Sequence, residues 1–175
     1  MLNSITPNPD FRIRHATGED AALVVDYMKK LGTYQKMADK ITATAPDIKR
    51  LLDESLGEAI FGIYKGQVIG FLYFCQKSSA FTGRSGLYVD GFLVDTDVRH
   101  LGFGKLMWAY LSKLALERGC LFLEWGCLDW NTPAIAFYRG LGAYSVDDMT
   151  IFRFTPDALK ANALTADTAS LREIP

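Results

Sequence analysis

The segment most able to do chemistry is Arg99-His100-Leu101-Gly102-Phe103-Gly104-Lys105, which joins a strand-like apolar run to a run with helical spacing. Glycines at 102 and 104 remove side chains, so neighbouring backbone N–H groups can point together at an anion. The start of the following helix adds four amides without internal partners and a partial positive charge. Arg99 and Lys105 supplement that local field. The Gly-Lys-Ser/Thr of a Walker loop is missing, and so is the third glycine of G-x-G-x-x-G. By itself the segment is either an anion-binding turn or a strand-to-helix turn with two convenient glycines. Metal chemistry finds little support. His15 and His100 are the two histidines, and Cys75, Cys120 and Cys127 lack paired zinc-type spacing, so they read as buried reduced thiols.

The elements that must hold this turn can be read on either side of it. Phe11 to His15 alternates as a strand does. Thr17-Gly18-Glu19-Asp20 resembles a capping box and opens a helix carrying Leu23, Val24, Tyr27, Met28 and Leu31, with Gly32 as its predicted stop. A second helix is predicted from about Pro46, burying Ile48, Leu51, Leu52 and Leu56. Ala59 to Tyr64 and Val68 to Cys75 flank the turn Lys65-Gly66-Gln67 as a β-hairpin, and Ser78 to Gly86 reads as a loop. Leu87 to Val94 is a third strand, and its interior Gly91 marks a bulge or a close approach to the backbone. From Gly102 to Arg118 the pattern is helical, with Leu106, Met107, Tyr110, Leu111 and Leu114 along one stripe. Leu121 to Trp125 is predicted as a buried strand, Asn131-Thr132-Pro133 opens a short helix ending at Gly140, and Tyr144 to Phe154 reads as strand, turn, strand. Residues 1–10 read as a loose leader and 160–175 as a frayed tail. With no repeat, linker or composition break, residues 1–175 are expected to form one mixed α/β domain.

Bulk composition removes several classes of function. Nineteen Lys plus Arg oppose twenty Asp plus Glu, a net charge of -1, which offers no general field for a nucleic-acid backbone. No basic, apolar signal opens the chain and no apolar run approaches the ~18 residues of a membrane span, so a cytoplasmic location without membrane contact is expected.

Arg99-x-x-Gly102-x-Gly104 after a strand resembles the coenzyme A diphosphate loop of the GCN5-related N-acetyltransferases (GNAT). Downstream, Trp130-Asn131-Thr132-Pro133-Ala134-Ile135-Ala136-Phe137-Tyr138 and then Gly142-Ala143 are similar to that superfamily's second cofactor motif. Ile13-Arg14-x-Ala16-Thr17, Lys30-Leu31-x-x-Tyr34 and Leu87-Tyr88-Val89-Asp90 extend the likeness toward the diamine (spermidine/spermine) and thialysine N-acetyltransferases, over about residues 13–159. The resemblance implies a central mixed, mostly antiparallel sheet flanked by helices, with two middle strands splayed to admit acetyl-CoA. It also implies a homodimer.

For the site, the resemblance implies that Phe92, Leu93, Val94, Arg99 to Lys105, Asn131, Pro133, Ala134 and Tyr138 contact acetyl-CoA, with no metal. It implies that Tyr34, Gln35, Asp90, Glu124 and Trp125 contact the amine. An alkylammonium has a pKa of about 10.4, so presenting the neutral amine at pH 7 costs about 4.6 kcal/mol without help. Asp90 matches the acidic position that takes this proton, directly or through a water. An amide near Phe92 to Val94 would stabilise the thioester oxygen. Tyr138 matches the general acid for the departing thiolate, whose thiol has a pKa of about 8.5. Each has a plainer alternative: a strand carboxylate for Asp90, a helix-face aromatic for Tyr138, a helix N-cap for Asn131. Polyamine enzymes carry acidic residues where Gln35 and Gly91 stand, so a shorter amine or a lysine-like amino acid competes with a polyamine. A protein or peptide acceptor and a non-catalytic acyl-CoA-binding module are the other readings.

Overall fold

Alternating apolar residues and two tight turns build most of a six-stranded sheet of order β1 to β6 in the computed structural model, which describes residues 4–5, 8–146 and 150–168. Contacts divide the chain into two compact units, Met1–Phe137 and Tyr138–Pro175.

In the first unit, β1 (Ser4–Ile5), β2 (Phe11–His15), β3 (Glu58–Tyr64), β4 (Gln67–Ser79) and β5 (Arg84–Val94) are antiparallel neighbours, and β6 (Phe122–Trp125) runs parallel to β5. The leader predicted at 1–10 is therefore partly structured, because Ser4 and Ile5 pair with Ile13 and Arg12. The loop predicted at Ser78 to Gly86 shrinks as well. Ser79 pairs with Arg84, so strand pairing consumes most of it and leaves 80–83 as the turn.

One face of the sheet carries α1 (Ala21–Tyr34) and α2 (Ala45–Asp53), the other α3 (Phe103–Glu117). Val24, Tyr27, Leu31 and Ile48 pack with Phe61, Phe71, Tyr73 and Leu93 on the first face. Phe103 stacks on Phe11 at 4.8 Å and Trp108 sits 4.4 Å from Trp125 on the second. Gly32 does not end α1; the helix continues to Tyr34, and the absent side chain leaves room for Ile41, which would lie 2.6 Å from an added Cβ. Thr44 caps α2 in a capping box with Asp47, and the helix ends at Asp53, which leaves Leu56 outside it and exposed. β6 starts one residue later than expected and is half-buried rather than buried, with Leu121 exposed, because it has β5 alone as a partner among the described residues.

A short helix α4 (Thr132–Gly140) carries the chain from the first unit into the second. In the second unit, 144–146 and 150–154 form no strand, and Tyr144, Ile151, Phe152 and Phe154 are exposed, contrary to the strand-turn-strand reading; 147–149 lie outside the described residues. The predicted frayed tail is helical as far as it is described, in α5 (Pro156–Thr168), where Thr155 Oγ1 accepts from Ala158 N–H at 3.2 Å. Among the described residues no helix is long and apolar enough to cross a membrane.

Candidate active site

The β5 strand carries one residue more than β4 beside it. Tyr73 pairs with Gly91 and Phe74 with Val89, so Asp90 faces no residue of β4 and bulges out, exposed between two buried neighbours. The sequence pointed to a bulge or a close approach at Gly91; the extra residue of the bulge is the aspartate before it, and the close approach is at Gly91 itself. Gly91 is the residue that makes the bend fit, since a Cβ there would meet Phe71 at 3.1 Å and Met28 at 3.3 Å.

A bulge shifts the alternation of main-chain groups by one. Before it, Ser85 O accepts from Leu121 N–H at 2.9 Å, so odd-numbered groups face β6. After it, Asp95 N–H donates to Ile69 O on the β4 side at 2.8 Å, while Arg99 Nε donates to Val94 O from the opposite side at 3.0 Å. The amides of Phe92 and Val94 therefore face the β6 side, and that of Leu93 faces β4. The β5–β6 ladder ends at Val89 and Trp125, so the two strands part where these amides begin. This parting is the expected splay.

Past β5 the chain makes a 3-10 turn at Thr96–Val98 and reaches two left-handed residues, His100 (φ 65) and Gly102 (φ 85), before α3. Alternation of left- and right-handed backbone gathers consecutive N–H groups into an anion-binding concavity, and α3 adds its first amides to it. Leu106 N–H is the first to find a helical partner, Gly102 O at 3.1 Å. No protein atom lies within 4 Å of an added Cβ at Gly102, so its outer side is open, whereas one at Gly104 would meet Phe92 at 3.3 Å and Phe137 at 3.5 Å. Phe103 buries its ring against Phe11 and Tyr64, which leaves only its main chain for a ligand. Leu101, His100 and Lys105 are exposed.

Arg99 links this loop to the end of α1: its guanidinium lies 4.9 Å from the centre of the Tyr34 ring. The Tyr34 hydroxyl donates to Asn131 Oδ1 at 3.2 Å, and Asn131 is buried. Ile135 N–H bonds to Asn131 O at 3.0 Å, so Asn131 does precede the first turn of α4, with Pro133 exposed and Ala134 half-buried. Tyr34, Leu93, Val94, Asp95 and Arg99 share an open cleft of about 490 Å³ with Lys30. Tyr34, expected at the amine, is thus joined to residues expected at the cofactor. Gln35 is half-buried just past α1.

The face of α1 and α2 receives the remaining polar groups. Tyr73, Cys75 and Lys77 of β4 lie beside Gly91, Tyr88 and Gly86 of β5, and Glu124 of β6 lies beside Tyr88. Burial pushes the Cys75 thiol up, and the Asp90 charge adds to the effect; burial and the same carboxylate raise Tyr73. In the bulge Asp90 and Gly91 together oppose Tyr73, which belongs to this face, so Asp90 shares it with Glu124. Trp125 does not: it is the next residue along β6, and its ring packs on Trp108 of α3 across the sheet. Lys77, which no motif singles out, pairs with Glu124. Its signal, a lysine two residues past Cys75 on the same strand face, becomes readable only once the register is known.

Tyr138 opens the second unit as part of α4. The helix ends in a Schellman arrangement, with Ala143 N–H donating to Tyr138 O at 3.1 Å, Gly142 N–H to Arg139 O at 2.9 Å, and Gly142 left-handed at φ 93. This explains the Gly142-Ala143 pair that follows the second motif.

A parallel strand pair that opens beside a glycine-bearing helix start defines an α/β fold of the acyltransferase type. The chain belongs to the acetyltransferase (GNAT) family, whose model matches residues 23–143. It is 32% identical over 116 residues to the L-ornithine N5-acetyltransferase NATA1 of Arabidopsis thaliana, a match covering 66% of this chain and 48% of that protein. The chain thus spans about half that relative's length. The thialysine N-epsilon-acetyltransferase of Caenorhabditis elegans is 25% identical over 129 residues, 74% of this chain and 80% of the relative. Among solved structures, an integron cassette protein from the mobile metagenome of V. cholerae shares the fold with a TM-score of 0.70 at 21% identity, covering 88% of this chain and 98% of that one.

Proposed function

We propose that this protein is an acetyl-CoA-dependent N-acetyltransferase that modifies a primary amine of a small molecule (a diamine, a polyamine or a lysine-like amino acid) by direct attack on the thioester. The observation that carries this reading is the conjunction of the left-handed turn His100–Gly102 at the start of α3 with the parting of β5 and β6 beside it. The names of the Arabidopsis and C. elegans relatives, ornithine N5- and thialysine N-epsilon-acetyltransferase, support an amine acceptor.

Acetyl-CoA supplies the acetyl thioester. The fit of the residues rests on a loop that offers main chain rather than side chain: Gly102 is open outward, Phe103 turns its ring inward, and a Cβ at Gly104 would press on the Phe92 ring at 3.3 Å. The amides from Gly102 to Lys105 would hold the diphosphate, with Arg99 fixed by Val94 O as the nearby cation. The Phe92 and Val94 amides, turned outward by the bulge, are the donors for the pantetheine arm and the thioester oxygen. Asp90 takes the ammonium proton, directly or through a water, because the bulge pushes its carboxylate into solvent while its neighbours stay buried. Tyr138 donates a proton to the departing thiolate.

Purified protein should release free thiol from acetyl-CoA when offered diamines, polyamines and lysine analogues. Tyr138→Phe should lower kcat about 100-fold or more, the usual contribution of a general acid, while calorimetry finds unchanged acetyl-CoA affinity. Equal turnover in both proteins removes the role given to Tyr138. No heat on titrating coenzyme A into folded protein removes the whole reading.

A further inference from the structure

The Lys77–Glu124 ion pair lies on the same sheet face as Asp90 and crosses β5 to join β4 with β6. The two residues are not in the same row. Lys77 belongs with Gly86 and Phe122, and Glu124 with Tyr88 and Cys75, so the lysine reaches diagonally. Gly86 makes this possible: the Phe122 ring occupies the place of a side chain there, 2.3 Å from an added Cβ. The ammonium also stands 5.7 Å from the centre of the Tyr88 ring. Both members of the pair are 38% exposed, open enough for a solute to reach them.

Tyr88, beside Glu124, is two residues from Asp90 along β5, or about 6.6 Å at ~3.3 Å per residue. An extended alkyl chain advances about 1.3 Å for each ~1.5 Å bond. Four or five bonds, the distance from the α-carbon to the terminal amine in ornithine or lysine, therefore cover roughly that interval.

Resting on the N-acetyltransferase reading of this site, we propose that Lys77 and Glu124 together bind the α-carboxylate and α-ammonium of a basic amino acid and present its side-chain amine to Asp90. A zwitterionic head docks on the pair with each charge next to its opposite, so no group is left unpaired. The second ammonium of a diamine has only Glu124 to bind and must lie next to the Lys77 ammonium, which repels it. Lys77 is a specificity residue: it removes the attraction for polycations that a lone Glu124 would exert, and it adds one for a carboxylate.

The test compares ornithine and lysine with putrescine and cadaverine, which lack the carboxylate. Lys77→Met keeps the stem and loses the charge. It should raise KM for the amino acids at least 10-fold with kcat within about 2-fold, and raise kcat/KM for the diamines. Glu124→Gln should weaken both classes, and acetyl-CoA affinity by calorimetry reports on folding in each variant. Unchanged preference between amino acid and diamine in Lys77→Met, with acetyl-CoA binding and turnover intact, overturns the inference while leaving the N-acetyltransferase reading standing. A wild-type protein that binds acetyl-CoA but acetylates none of the four amines, nor spermidine or spermine, overturns both.

Discussion

The Tyr34 hydroxyl donates to Asn131 Oδ1 at 3.2 Å, tying the last residue of α1 to the residue that precedes α4. Asn131 is buried, and its side-chain oxygen accepts from this exposed tyrosine. The bond is only part-buried, with Tyr34 itself exposed, so removing the hydroxyl costs about 0.5–1.5 kcal/mol. Tyr34→Phe should lower Tm by about 2–4 °C for each kcal/mol lost, the scale for a chain of this size, as read by calorimetric melting. Tyr34→Phe together with Asn131→Leu should recover part of that loss, since neither polar group is then left alone.

The Tyr34 ring also supports the Arg99 guanidinium, which in turn holds Val94 O. Arg99→Met removes both contacts while keeping bulk. Affinity for coenzyme A should fall about 10-fold, more strongly at low ionic strength than at 0.5 M salt, because a charge near the diphosphate is lost. Arg99→Lys should rescue little, since an ammonium cannot reproduce the flat guanidinium over the ring.

Gly102 is left-handed (φ 85) with no protein atom within 4 Å of an added Cβ. Gly102→Ala therefore meets no clash and pays only the backbone cost, about 1–2 kcal/mol. Gly102→Asn should cost less, because asparagine tolerates this region. Denaturant melts check both, and coenzyme A titration should show the two variants weakened in the same order.

Asp90→Asn keeps the shape of the bulge and removes the base. We expect kcat/KM to fall at least 100-fold at pH 7 and to recover partly as pH rises toward the pKa of the amine, about 10.4, where the substrate loses its proton unaided. A pH–rate profile parallel to the wild type would remove Asp90 from proton transfer.

Burial lowers the pKa of the His15 imidazole, with the Glu58 carboxylate acting in the opposite sense. The folded state then binds fewer protons than the unfolded state just below the ordinary histidine value of about 6.5. This contribution to stability is present above that value and is lost as pH falls through it to the lower folded value. The Tm of the wild type should drop between pH 7.5 and pH 5.5, and His15→Gln should flatten that drop. A steeper fall in the variant would reverse the sign assigned to His15.

Local pattern decided the hairpin of β3 and β4, the helix after Thr17 and the helix after Gly102, because a tight turn, a cap or a strict period states its structure within a few residues. Where burial depends on distant partners the pattern failed. Tyr144 to Phe154 is apolar enough for two strands but forms none in its described residues, and Ser4–Ile5 is a strand only because β2 lies beside it.

By itself the amino-acid sequence determined the glycine-bearing start of α3, the Asn131–Pro133 opening of α4 and the likeness to amine acetyltransferases, since each is a run of near neighbours. The tertiary structure decided that Asp90, rather than Gly91, is the extra residue of the bulge, that the Phe92 and Val94 amides turn outward, that Trp125 faces α3, and that Lys77 meets Glu124. These are matters of strand register, and a shift of one residue exchanges every main-chain and side-chain direction along a strand. Only the paired neighbour fixes that choice.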